Sequence, residues 1–106
     1  MNSEKVFKNI KALSNELYNL TAESEANVNA IKNLCFQILN EIENLKEESV
    51  SAHVILTKNQ ATSYINQGLA RIIIYNDKVT LRSVGNFTDI IKPIRAGLEL
   101  LKNLNY

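Results

Sequence analysis

One cysteine, one proline, one histidine, three glycines and no tryptophan leave this chain of 106 residues with little punctuation and little catalytic equipment. A lone Cys35 excludes an intramolecular disulfide. With His53 as its single companion, it also excludes a four-ligand zinc site built from Cys and His within one chain. Cys35 sits between Ile31 and Ile38 on an apolar stripe with no cation flanking it, so it reads as a buried, inert thiol. His53, beside a β-prone run, reads as a structural or surface imidazole. There is no glycine-rich phosphate loop, no H-E-x-x-H, no nucleophile elbow and no Asp-rich metal loop. We therefore expect no enzyme and no cofactor.

Long apolar runs are missing too. No stretch approaches the roughly 18 residues that span a bilayer. The first residues, Met1 to Lys8, turn charged and amphipathic at once and lack the apolar region of a signal peptide, which points to the cytoplasm. The triplets Asn19-Leu20-Thr21 and Asn86-Phe87-Thr88 match the glycosylation pattern. A chain with this much Asn, Ser and Thr produces about two by chance, so they carry no weight.

What is present begins with charge. The formal net charge is +1, but the halves differ. Residues 1–50 set five Lys against eight Glu, while residues 51–106 set four Lys and three Arg against Asp77, Asp89 and Glu99. We read one domain with an acidic helical part (1–48) and a basic mixed part (51–106). The two parts can neutralise each other within a chain or between subunits.

Helical periodicity dominates the first part. Val6, Ile10, Leu13, Leu17 and Leu20 recur at intervals of four and three. So do Val28, Ile31, Cys35, Ile38, Ile42 and Leu45, widened by Leu34 and Leu39. The eight-residue gap between Leu20 and Val28 breaks the phase, and Thr21 with Glu23 and Glu25 supplies a new start, so a helical hairpin is preferred to one long helix. Two stripes this wide in a small domain suggest surplus apolar area. Ile10, Leu13, Leu17, Leu20, Ile31, Ile38, Ile42 and Leu45 form the candidate face for homo-oligomer formation.

The second part reads as mixed. Val54-Ile55-Leu56 is β-prone, and Thr57 with Gln60 has capping-box spacing for a short helix over 58–67 that Gly68 would end. A single helix from Ser51 through Gln67 is the close rival. Leu69–Val84 then reads as a β-hairpin around Asn76-Asp77, or around a four-residue loop. In the two-residue register, Ile72, Ile74, Val79 and Leu81 share one face. Arg71, Ile73, Tyr75, Lys78, Thr80 and Arg82 share the other, with Arg71 opposite Arg82. Opposed like charges call for a compensating anion. Arg71, Ile73, Tyr75, Lys78 and Arg82 are accordingly the candidate interaction surface.

The last segment, Ile90–Leu104, is amphipathic, with Pro93 expected near its start, Asp89 or a neighbour as its cap, and Gly97 in its middle. Glycine there implies a second backbone packed close, on the sheet or on the second helix.

The expected fold class is α+β: a helical hairpin, a short strand and helix, a β-hairpin, and a C-terminal helix covering a small antiparallel sheet. The expected function is a small non-enzymatic protein-binding or assembly module, homo-oligomeric, meeting an acidic protein partner through the hairpin. Second comes a nucleic-acid-associated accessory or regulatory factor, of phage or mobile-element origin, with a small enzyme third. No membrane partner is expected.

Overall fold

The computed structural model describes residues 3–22, 28–46, 50–75 and 84–104. These form four helices: α1 (Ser3–Thr21), α2 (Val28–Glu43), α3 (Ala52–Tyr75) and α4 (Val84–Lys102). The described residues contain no strand. The architecture is a helical bundle, which overturns the α+β expectation with its β-hairpin and sheet. Helix α3 packs most extensively on α4, and α1–α2, α1–α4 and α2–α3 contacts close the ring. The body measures 42 × 19 × 19 Å, matching helices of up to 24 residues laid side by side.

The decisive departure is α3, one continuous helix where strand, helix and strand were expected. Ser51 starts it: its Oγ accepts from the Val54 N–H at 3.3 Å, satisfying one of the free amides of the first turn. The β-prone run Val54-Ile55-Leu56 is absorbed because its neighbours set the period. Val54, Ala61, Ile65, Leu69 and Ile72 are buried, at intervals of seven, four, four and three. Leu69 and Ile72 face inward while Arg71 and Ile73 face solvent, which is helical spacing and not the alternation of a strand. Thr57 and Gln60 lie inside the helix, so their capping-box spacing was coincidental. The expected turn at Asn76-Asp77 and residues 78–83 of the second strand lie outside the described residues; Val84 and Gly85, its expected end, open α4.

Gly68, expected to end a helix, sits within one because α4 comes too close for a side chain. A Cβ there would collide with the Ile94 side chain and lie 2.9 Å from the Ile90 carbonyl oxygen. Gly97 answers from the other helix. A Cβ on it would lie 2.9 Å from Ile65 Cγ1 and 3.0 Å from the Ala61 carbonyl oxygen. A close backbone at Gly97 was legible in the sequence, but that backbone belongs to α3. Residue 68 meets 90 and 94 while 97 meets 61 and 65, so α3 and α4 run antiparallel.

The remaining helices complete one core. Val6, Phe7, Ile10 and Leu17 of α1 and Ile31, Leu34, Cys35, Ile38 and Ile42 of α2 are buried in it with the α3 and α4 residues. Asn9 Nδ2, in the first half of α1, donates at 3.4 Å to Glu41 Oε2 in the last turn of α2. At the far end of α1, Arg95 of α4 stacks over the Tyr18 ring at 4.6 Å and donates from Nε to Thr21 Oγ1 at 3.0 Å. Thr21 in turn donates to the Tyr18 carbonyl at 2.7 Å, so the three residues pin α1 to α4.

The glycine pair yields a test. Alanine normally stabilises a helix interior by about 1 kcal/mol over glycine. At Gly68 the obstacle includes backbone, so Gly68→Ala should instead destabilise by about 1–3 kcal/mol in urea unfolding. Gly97→Ala should cost less, because its new Cβ would lie 2.9 Å from Ile65 Cγ1 and 3.0 Å from the Ala61 carbonyl oxygen, whereas the Cβ at residue 68 would collide outright with the Ile94 side chain. A stabilised Gly68→Ala would refute the close approach.

Candidate interaction surface

Of the interaction-surface residues nominated from the sequence, Arg71 and Ile73 have described side chains. Arg71 and Ile73 are exposed, Ile73 by 63%, but two residues along a helix turn about 200°, so they do not share a face. Tyr75 closes α3 with its side chain outside the described set, and Lys78 and Arg82 lie outside the described residues altogether. The first strand of the expected hairpin, up to Tyr75, is therefore part of a helix.

Arg71 has a specific internal role. Its Nη1 donates to the Asp89 carbonyl at 2.6 Å. In an α-helix that carbonyl accepts from the N–H four residues on, and that residue is Pro93, which has none. Pro93 is the tenth residue of α4, not one of its first, contrary to the expected start with Asp89 as cap. Pro93 has no N–H to give that carbonyl, and Arg71 of the neighbouring helix donates to it.

The residues nominated for an oligomer face are largely consumed within one chain. Ile10, Leu17, Ile31 and Ile38 are fully buried, and Ile42 and Leu45 nearly so. Leu13 and Leu20 are half-buried against the core. Cys35 is fully buried as well, and burial pushes its thiol up from 9.0 to about 12, away from the thiolate that reactivity requires. Among the described residues no group of three His, Cys, Asp or Glu is placed to hold a metal ion, and no helix is long and apolar enough to cross a membrane.

A different surface emerges from where the charges sit. The thirteen exposed residues described on α1 and α4 include nine charged ones, among them Lys5, Lys8, Lys11 and Glu16 on α1 and all four on α4 (Asp89, Lys92, Glu99, Lys102). The eighteen described on α2 and α3 include two, Glu43 and Arg71. From Ala52 to Ala70, α3 presents ten exposed residues and no formal charge with His53 neutral; its Lys58 is turned inward. Large apolar side chains follow the same division. Phe36 (49% exposed), Leu56 (58%), Tyr64 and Ile73 are on α2 and α3, whereas Tyr18 on α1 lies under Arg95.

The neutral side continues around α2 into an open groove against α1. Glu16, Asn19, Leu20, Ala30, Asn33, Leu34 and Gln37 line it, enclosing about 560 Å³. Leu20 and Leu34 supply apolar surface, and amides supply most of the polar lining. The signal for this surface was in the sequence: Ala52–Tyr75 holds just two charged residues in 24. Reading that stretch as strand, helix and strand dispersed it over three elements.

Comparison with family models, with curated proteins and with solved structures finds no match for this chain.

Two predictions follow from this geometry. If Arg71 serves the carbonyl that Pro93 frees, Arg71→Ala should cost about 0.5–1.5 kcal/mol in the native chain and clearly less beside Pro93→Ala, which restores the amide. Equal costs in both backgrounds, from urea unfolding of the four proteins in the cycle, would remove the link. For Cys35, the raised native pKa means that the unfolded chain loses its thiol proton first as pH rises. The thiol's contribution is fully present below about 9.0 and is lost as pH rises toward about 12, at up to ~1.4 kcal/mol per pH unit. The stability advantage of the native chain over Cys35→Ala should therefore shrink with pH in that window, and a constant advantage would contradict the burial.

Proposed function

We propose that this chain is a small non-enzymatic protein-binding module that assembles with copies of itself through the side formed by α2 and α3. The observation that carries this reading is the near absence of charge on that side together with its exposed Phe36, Leu56, Tyr64 and Ile73. Buried interface cores are depleted in charged residues and enriched in aromatics relative to ordinary surface. Nothing in the bundle itself requires this division. The core is filled from both sides alike, so a solvated α3 face would tolerate Lys and Glu as readily as α1 and α4 do.

The surface proposed thus differs from the arginine face read from the sequence. An acidic partner held by Arg71, Lys78 and Arg82 loses its β scaffold, and Arg71 already serves the backbone of α4. A nucleic-acid partner ranks behind for the same reason, since a charge-poor surface supplies no phosphate contacts.

Sedimentation of the purified chain tests the proposal. At roughly 100 µM, where an association as weak as about 5–6 kcal/mol is half-populated, we expect a dimer or higher oligomer. Leu56→Lys and Phe36→Lys, both at exposed positions, should dissociate it while leaving the helical content intact. A chain that stays monomeric at that concentration would overturn the self-association.

A further inference from the structure

We draw no further inference here: the strongest candidate, the open groove between α1 and α2 where Leu20 and Leu34 lie among the carboxamides of Asn19, Asn33 and Gln37, carries nothing because nothing in the structure shows what covers it.

Discussion

The approach of α3 to α4 is the constraint on which the rest of the bundle depends. Two glycines, one from each helix, let the backbones meet where any side chain would hold them apart. Because Gly68 lies against Ile90 and Ile94 while Gly97 lies against Ala61 and Ile65, the pair also fixes register: sliding either helix by one turn would put a bulkier residue (Tyr64 or Ile72 on α3, Pro93 or Leu101 on α4) where a glycine is needed. Within α4, Pro93 has no amide N–H to give the Asp89 carbonyl. The same closeness places Arg71 within 2.6 Å of that carbonyl. The defect and its repair therefore arise from one packing arrangement. Helix α1 is then tied to this pair by Arg95, Tyr18 and Thr21, and α2 closes the ring.

The first half of the chain was legible because nothing in it competes with helical periodicity. The stripes through Ile10 and Ile38 are long and regular, and the break between Leu20 and Val28 coincides with the gap between α1 and α2. The second half misled for physical reasons that can be named. Val54-Ile55-Leu56 and Ile72-Ile73-Ile74 are β-branched or bulky runs whose local preference is extended. Gly68 carries the local signature of a helix end. Tertiary packing overrides each of these: Leu69 and Ile72 gain burial as helical neighbours, and Gly68 is required for close approach in mid-helix. No local window contains that information, since the partner atoms are more than twenty residues away in α4. Gly97 was the one place where the long-range contact showed, and it was assigned to the wrong partner because α3 had been divided.

Charge tells a similar story about the surface. Counted along the chain, the contrast runs between an acidic first half and a basic second half. Folded, those halves interleave, and the contrast that survives runs across the bundle, between α1 and α4, rich in exposed charge, and α2 and α3, which expose few charged residues. Net charge is nearly zero on both sides of that divide, so it is charge density, not sign, that distinguishes them. A sign-based search for partners looks for complementary charge. A density-based one looks for surface that is cheap to desolvate.

That distinction bears on what kind of association the α3 face can support. From Ala52 to Ala70 its exposed residues include four amides, a serine, a histidine, a tyrosine and one leucine, not the leucines and isoleucines of the interior. Amides give up water hydrogen bonds on pairing and regain them from each other, so they contribute little net free energy, about 0.5–1.5 kcal/mol for each bond made. What they contribute is a penalty for misalignment, because an amide buried opposite an apolar group loses its water and gains nothing.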